Sequence, residues 1–262
     1  MRCYNIRELS RDGKKRAAGE KGYCLNLSLK NLREILYPRR CALCDAPLSR
    51  KERYVCGGCR RKLRFVREPV CMKCGKPMAD SAKEYCRDCS RTSHYYVRGF
   101  APFVYRGDMR ASVVRFKYAG RGEYAAFYAR AMGVFGEYFL KAWKPEALIP
   151  VPVHPSRLIK RGYNQAVLLA EELSKLTGIP ADDRLVIRRV KTAAQKELDV
   201  AERRKNLARA FACSESCPYR RVLVVDDIYT SGSTADALAL LLLSAGAEEV
   251  YFASVCIGAE DC

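Results

Sequence analysis

The chain has 262 residues, of which 49% are hydrophobic and 29% are charged, so it is long enough to bury a core. Its formal net charge is +19, from 48 Lys and Arg against 29 Asp and Glu. No stretch approaches the run of about 18 apolar residues that a membrane-spanning helix needs, and no apolar signal segment is visible near the start. We therefore expect a cytoplasmic protein without a membrane span.

The positive charge is concentrated in the first part of the chain. Residues 1–100 hold 25 Lys and Arg against 10 Asp and Glu, whereas residues 101–262 hold 23 against 19. This imbalance predicts a polyanionic partner such as nucleic acid, although a basic solvated surface would give the same counts. Residues 1–34 are predicted to form a basic, flexible extension, with a short amphipathic helix over 27–36.

Four Cys-x-x-Cys pairs recur at a constant step of 15 residues in the next segment, 35–92. Two cysteines separated by two residues turn both sulfurs toward one point, and two such pairs complete a tetrahedral zinc site. Four pairs in register predict two structural Zn²⁺ ions rather than disulfides. The predicted ligands are Cys41, Cys44, Cys56, Cys59, Cys71, Cys74, Cys86 and Cys89.

Two arrangements of these pairs are open. Sequential pairing, first with second and third with fourth, gives two zinc ribbons, whereas interleaved pairing gives a cross-brace. We favour sequential pairing because each site then closes a short, hairpin-sized loop. Either arrangement fills every coordination position with protein, so a catalytic zinc is not expected. His94 is therefore interpreted as a loop residue rather than a ligand.

The remaining segment, 93–262, alternates strand and helix patterns, which predicts an α/β domain with a parallel sheet flanked by helices. A polar, poorly periodic stretch at 191–201 interrupts the alternation. The predicted strands lie within 95–104, 147–151, 185–190, 222–225 and 249–257, and the predicted helices are 108–119, 123–141, 162–177, 201–208 and 235–245.

The most informative stretch is 222–234, where four apolar residues precede two acids, Asp226 and Asp227, and a hydroxyl-rich loop. Carboxylates at the carboxyl end of a parallel strand suit a vicinal diol or a hydrated Mg²⁺ ion. A loop with one glycine that opens a helix can bind phosphate through its backbone N–H groups. The loop residues are Thr230, Ser231, Gly232, Ser233 and Thr234.

A basic loop, 152–165, follows the predicted strand at 147–151. Side chains that could bind phosphate oxygens there are His154, Arg157, Lys160 and Arg161. A solvated turn is the alternative, but the position at a strand end favours binding.

Stretch 222–234 closely resembles the signature of type I phosphoribosyltransferases, which bind 5-phosphoribosyl 1-pyrophosphate (PRPP). The resemblance implies a type I phosphoribosyltransferase fold in which Asp226 and Asp227 hold the ribose hydroxyls. It also implies that the loop from Thr230 to Thr234 holds the 5-phosphate, that Mg²⁺ accompanies PRPP, and that a flexible loop at 191–201 closes over the substrate.

The order of the motifs is similar to that of the ComF family, over about residues 35–258. The cysteine pairs come first, then Val151-Pro-Val-His-Pro155 with Arg161-Gly-Tyr-Asn-Gln165, then the acids and loop; between them lie Thr192, Gln195, Arg203, Asn206 and Phe211. The family joins a double zinc ribbon to a phosphoribosyltransferase domain and is associated with the handling of incoming single-stranded DNA in natural competence. The resemblance implies that pyrophosphate meets Arg157, Arg161 and the backbone near Val153 and His154. Expected partners are PRPP, single-stranded DNA and other DNA-uptake or helicase proteins.

The sequence leaves open whether PRPP is turned over, and it assigns no catalytic residue. Purine-salvage relatives carry an Asp three positions after the second acid, where this chain has Thr230. Three hypotheses remain: a PRPP- and DNA-binding protein of DNA uptake, an active phosphoribosyltransferase with an unidentified acceptor, and a regulator that senses PRPP.

Overall fold

The computed structural model describes residues 38–189 and 210–259. The predicted extension 1–34, the helices over 27–36 and 201–208, and the polar segment 191–201 lie outside the described residues. So do four residues of the family motif: Thr192, Gln195, Arg203 and Asn206. The chain divides into two compact units, 1–63 and 64–262. This division falls inside the predicted zinc module, and the module boundaries at 34/35 and 92/93 stay predictions.

The described part of the first unit, 38–63, is a small ribbon that carries the first two cysteine pairs. A bridge between Arg40 and Pro47 closes the turn with the first pair. The short helix α1 (Gly57–Lys62) follows, and its N-terminal end carries the second pair. Glu52 accepts a hydrogen bond of 2.6 Å from the N–H of Gly57, which fixes the start of this helix.

The described part of the second unit is built on a parallel sheet of five strands. These strands are β1 (Gly99–Phe100), β2 (Phe103–Val104), β3 (Ala147–Pro150), β6 (Arg221–Tyr229) and β7 (Glu249–Ile257). Their spatial order is β1, β7, β6, β3, with β2 also pairing with β7. A separate antiparallel ribbon joins β4 (Val186–Arg188) to β5 (Phe211–Cys213). The parallel sheet confirms the predicted fold class.

Helices flank this sheet. Their bounds are α2 (Arg87–Arg91), α3 (Gly107–Tyr118), α4 (Ala125–Trp143), α5 (Pro155–Arg161), α6 (Gln165–Thr177) and α7 (Ser233–Ser244), with a 3-10 turn at Gly122–Tyr124. Helices α4, α6 and α7 pack on the strands of the sheet. Helix α4 contacts α6 and β7, and the ring of Trp143 stacks on Tyr251 with the centroids 4.4 Å apart. Strands β6 and β7 are buried along most of their length, as a central parallel strand requires.

The third cysteine pair packs directly on the sheet. The N–H of Gly99 in β1 donates to the carbonyl of Lys73 at 2.8 Å. Gly75 has a φ of +77°, and a Cβ there would lie 2.9 Å from the carbonyl oxygen of Gly99. Residues 71–75 therefore belong to the same packed unit as the strands.

None of the helices within 38–189 and 210–259 is both long and apolar enough to cross a membrane.

Candidate functional site

The two acids of the central motif lie inside β6 rather than after it, because this strand continues to Tyr229. The pairing with β7 includes Asp226 opposite Ser254. The pairing with β3 ends at Pro150 opposite Val225. From Asp226 onward, β6 therefore has no ladder partner on its β3 side, which leaves room for a ligand at the carboxyl ends of the strands.

Asp227 is held by a lysine that the sequence analysis did not select. The ammonium of Lys117, near the end of α3, lies 2.8 Å from Oδ1 of Asp227. The two side chains are 18% and 10% exposed, so this ion pair is largely shielded from water. Burial alone would lower the pKa of Lys117, but the charge and hydrogen bond of Asp227 outweigh it and raise that pKa.

Asp226 has a different electrostatic environment. Burial, followed by the neighbouring charge of Asp227, raises the pKa of Asp226 to about 7. The charges of Lys117 and Arg188 oppose this shift only in part. The pair therefore has one carboxylate that is neutralised by an ion pair and one carboxyl group that can change its charge near neutral pH.

Arg188 is a second residue near the acids that the sequence did not predict as part of the site. It lies at the end of β4, and its guanidinium stacks over the ring of Phe211, 5.1 Å from the centroid. Burial lowers the pKa of Arg188, the positive charge of Arg157 lowers it further, and the charge of Asp226 opposes them. Two guanidinium groups thus lie within electrostatic reach of each other beside an acid, an arrangement that a polyanion would stabilise.

The predicted loop 230–234 connects β6 to α7. Gly232 caps the helix with a φ of +77°, which favours glycine. The hydroxyl groups of Ser231 and Ser233 lie 2.9 Å apart and hydrogen-bond to each other. The helix begins at Ser233, two residues earlier than predicted, so its first N–H groups come from the hydroxyl-rich segment itself.

The basic segment forms a helix, α5, and not the predicted loop. Pro155 begins the helix, and the imidazole Nδ1 of His154 accepts from the N–H of Ser156 at 3.2 Å. Both features are typical of a helix start. Val153 is half-buried just before this cap.

The two predicted arginines of this helix differ in their surroundings. Arg157 is exposed, and its charge acts on Arg188. Arg161 lies over the ring of Tyr118, 4.8 Å from the centroid, and donates to Gln165 Oε1 at 2.9 Å. In this conformation Arg161 is bound to protein groups, whereas Arg157 faces solvent.

The cysteines form two clusters in the sequential arrangement: Cys41, Cys44, Cys56 and Cys59, and then Cys71, Cys74, Cys86 and Cys89. Within each cluster all four sulfurs lie within 4.8 Å of one another. Four sulfurs at about 2.3 Å from a tetrahedral Zn²⁺ are about 3.8 Å apart. The Sγ atoms of Cys44 and Cys56 lie 3.8 Å apart, and those of Cys74 and Cys86 lie 3.7 Å apart. Both donor sets fit structural zinc.

Curated relatives match most of the chain. Competence protein F of Haemophilus influenzae is 32% identical over 219 residues, which are 80% of this chain and 93% of the relative. The chain belongs to the ComF family. Competence protein ComFC of Bacillus subtilis is 29% identical over 224 residues, 79% of this ComF-family chain and 89% of the relative. DNA utilization protein YhgH of Salmonella typhimurium is 30% identical over 222 residues, which are 84% of this chain and 97% of the relative.

Other comparisons concern parts of the ComF-family chain. The family model of the double zinc ribbon domain matches residues 32–90, which contain both cysteine clusters. The purine phosphoribosyltransferase of Pyrococcus horikoshii is similar over 52% of this chain and 71% of its own, with a TM-score of 0.31 and 19% identity. The adenine phosphoribosyltransferase of Leishmania tarentolae is similar over 52% of this chain and 59% of its own, with a TM-score of 0.29 and 15% identity. The strand order given above, rather than these two alignments, defines the fold.

Proposed function

We propose that this ComF-family chain binds PRPP together with Mg²⁺ at the carboxyl end of β6. We also propose that it binds single-stranded DNA and acts in the cytoplasm in DNA uptake. The observation that carries the PRPP proposal is the pair Asp226 and Asp227 near the carboxyl end of β6, with the cations Lys117 and Arg188 acting on them and a glycine-capped helix N-terminus shortly after them. The acids suit a diol, the helix N-terminus suits a phosphate and the cations suit a pyrophosphate group.

Each part of PRPP is assigned to one part of this arrangement. The N–H groups and hydroxyls of 230–234 receive the 5-phosphate. Asp226 and Asp227 accept hydrogen bonds from the ribose hydroxyls, for which Asp227 turns away from Lys117. Arg157 and Arg188, with the backbone at 153–154, bind the pyrophosphate. A bound Mg²⁺ would neutralise part of the pyrophosphate charge.

The DNA proposal is supported by the names of the relatives and by the charge of the first unit. A competence protein and a DNA utilization protein are among those relatives. Residues 38–63 hold eight Lys and Arg against two Asp and Glu. Arg60, Arg61 and Lys62 are exposed on the last turn of α1. Such groups bind the phosphate backbone without reading sequence.

A fragment series tests the PRPP proposal. The zinc-loaded protein is melted with PRPP, ribose 5-phosphate or pyrophosphate, each with Mg²⁺. We expect every fragment to raise the melting temperature and PRPP to raise it most, since a ligand at about 100 times its Kd stabilises by about 2.7 kcal/mol. The absence of any shift with all three compounds would contradict the proposal.

Turnover separates the enzymatic alternative from binding. Pyrophosphate release from PRPP is followed with and without single-stranded DNA. Release at a steady rate would favour an active phosphoribosyltransferase, in which the acceptor then has to be identified. Saturable PRPP binding without release would favour a binding or sensing role.

Salt dependence tests the DNA proposal. Anisotropy of a labelled oligonucleotide is measured across a salt series for the parent, for R60A/R61A/K62A and for the control K175A, whose lysine pairs with Glu172 on α6. We expect the log affinity to fall linearly with log salt, and the triple variant to reduce the slope by up to about 2. If no binding is seen even at low salt, the basic side chains are only hydrated surface groups, and the DNA proposal fails.

A further inference from the structure

His94 lies beside the loop 230–234, and its side chain is buried. Its Nδ1 lies 2.8 Å from Oδ2 of Asp236, and the two side chains are only 1% and 3% exposed. The second carboxylate oxygen of Asp236 accepts from the N–H of Tyr95 at 3.1 Å. A carboxylate at this degree of burial needs such donors, because an unpaired buried charge is costly. Since a carboxylate only accepts, the imidazole carries a proton on Nδ1.

The imidazole also touches the loop itself. A Cβ added to Gly232 would lie 3.0 Å from Cε1 of His94 and 2.5 Å from the hydroxyl of Tyr229. The His94 ring stacks on Tyr96, with the centroids 5.0 Å apart, and the hydroxyls of Tyr96 and Tyr229 are 2.7 Å apart. The glycine of the loop therefore rests on a packed group of three rings.

The other ring nitrogen shows that this histidine is not an ordinary satisfied core residue. Nε2 of His94 is buried and has no hydrogen-bond partner among residues 38–189 and 210–259. A phenylalanine would fill a similar space without this unpaired polar atom. An apolar ring, however, could not donate a hydrogen bond to Asp236.

Asp236 explains why that donor matters. Asp236 lies in the first turn of α7, at the helix end that would bind an anion. The imidazole of His94 contacts its carboxylate on one side and the position of Gly232 on the other. A carboxylate there is attracted to the helix N-terminus and opposes a second anion at the same place. Hydrogen bonds with His94 and the N–H of Tyr95 satisfy both oxygens of the Asp236 carboxylate and fix its position.

We propose that His94 is a positioning residue for the loop 230–234, and this inference rests on the proposed PRPP function. His94 contacts no ligand in this account. It acts through Asp236 and Gly232: the Nδ1–H bond keeps the carboxylate turned away from the loop N–H groups, and the ring supports the left-handed glycine. The loop then presents its donors to a phosphate without competition from its own helix.

Three variants separate this role from simple packing. H94A removes the ring and the donor. H94N keeps a donor near the position of Nδ1 with a smaller side chain. H94A/D236N removes the donor together with the charge that it controls. PRPP affinity is measured by titration calorimetry well below the melting temperature of each variant.

We expect H94A to weaken PRPP binding by at least about tenfold, because it leaves Oδ2 of the buried Asp236 carboxylate without its donor beside an anion site. H94N and H94A/D236N should both return to within about threefold of the parent. A packing defect would not be corrected by removing the charge of Asp236. Parent-like affinity in H94A, or equal losses in all three variants, would overturn the proposal.

A measurement without ligand keeps this test separate from the proposed function. Hydrogen exchange of the segment 229–236 should be faster in H94A than in the parent and parent-like in H94N. If the parent does not bind PRPP but shows this exchange pattern, the proposed function fails while the support of the loop by His94 stands. Unchanged exchange in H94A would show that His94 does not hold the loop.

Discussion

At the scale of single residues, the candidate site contains a shielded ion pair between Lys117 and Asp227. Its N–O distance is 2.8 Å and both groups are largely shielded. In such surroundings the attraction offsets the cost of removing two charges from water only while both partners are present. The ion pair holds the side chain of Asp227 beside Lys117 in the absence of a ligand.

The substitution K117M should therefore lower stability more than a typical surface change. It leaves Asp227 as a buried, unpaired carboxylate, a loss of roughly 3 kcal/mol. D227N in the same background should recover at least about 1 kcal/mol, because the unpaired charge is gone. Urea denaturation of the two single variants and the double variant measures this coupling. Additive effects of the two substitutions would contradict the assigned ion pair.

Asp226 links the site to pH. Its pKa, raised to about 7, means that the folded protein holds a proton there between about pH 4 and 7 that the unfolded chain releases. The contribution of this group to stability therefore falls as pH rises through that window. A ligand that requires a carboxylate, such as Mg²⁺ or the ribose hydroxyls, would favour the ionised form of Asp226.

PRPP affinity should accordingly rise with pH. If only the carboxylate of Asp226 binds the ligand, affinity increases by about tenfold from pH 6 to pH 8. Calorimetric titrations at several pH values measure this, and D226N provides the control, in which this part of the pH dependence should disappear. A parent affinity that is flat across this range would show that Asp226 does not bind as a carboxylate.

The sequence was informative about residues that are neighbours in the chain and uninformative about those that meet only in space. Asp226, Asp227 and 230–234 form one contiguous pattern, and the structure has them on one strand end and helix start. Lys117 and Arg188 carry no local signal, because their acidic partners lie far away in sequence. His94 does lie in a loop, as expected, but its pairing with Asp236, 142 residues away, was missed for the same reason.

At the scale of elements, strand length and helix caps decide the shape of the site. Strand β6 continues past the point where β3 stops, so the predicted end at residue 225 was too early. Its last residues are polar or mixed, and pairing with β7 rather than apolar periodicity keeps them extended. The helix Pro155–Arg161 was predicted as a loop because its basic residues suggested a turn. Pro155 at its start and Gly162 after its end are the signals that indicate a helix there.

Gly232 provides a test at this scale, with Gly178 as a matched control. Both glycines have a φ of +77°, but Gly178 has nothing within 4 Å of an added Cβ. G178A should cost roughly 1–2 kcal/mol for the left-handed backbone alone. G232A adds the contact with Tyr229 and should cost at least about 1 kcal/mol more. Equal losses in the two variants, measured by chemical denaturation, would mean that the loop does not rest on the tyrosine.

At the scale of the whole molecule, the two zinc ribbons are not equivalent. The second cluster belongs to the compact unit 64–262 and its residues 71–75 bond to β1. The first cluster belongs to the unit 1–63. A deletion that follows the cysteine repeat through residue 91 would therefore also remove part of the packing of the sheet. A deletion of 1–63 removes the first unit and keeps all residues of the unit 64–262.

Loss of metal from each cluster should have different consequences. C74S should release one zinc and lower the melting temperature of the unit that contains the sheet, with a loss of PRPP affinity. C44S should also release one zinc but leave PRPP affinity close to that of the parent, because its cluster lies in the other unit. Zinc content, melting curves and PRPP titrations are compared for the two variants. Equal effects on PRPP affinity would contradict this division.

The architecture was largely predictable, because it follows from local patterns. The cysteine repeat predicted both zinc sites, and the alternation of strand and helix predicted the parallel sheet. The antiparallel ribbon of β4 and β5 was only half anticipated: the first strand was predicted, but its partner at Phe211–Cys213 was not. Pairing between strands that are distant in sequence depends on tertiary packing, which no single segment encodes.

The most direct test of the PRPP site is calorimetric titration of Mg-PRPP into the zinc-loaded protein, with the parent beside D226N/D227N. We predict saturable binding to one site per chain in the parent and a loss of at least about a hundredfold in the variant, because both oxygen-donor groups facing the ribose are neutralised. Circular dichroism confirms that the variant is folded. No binding by the parent, or equal binding by D226N/D227N, would contradict the assignment of PRPP to the carboxyl end of β6.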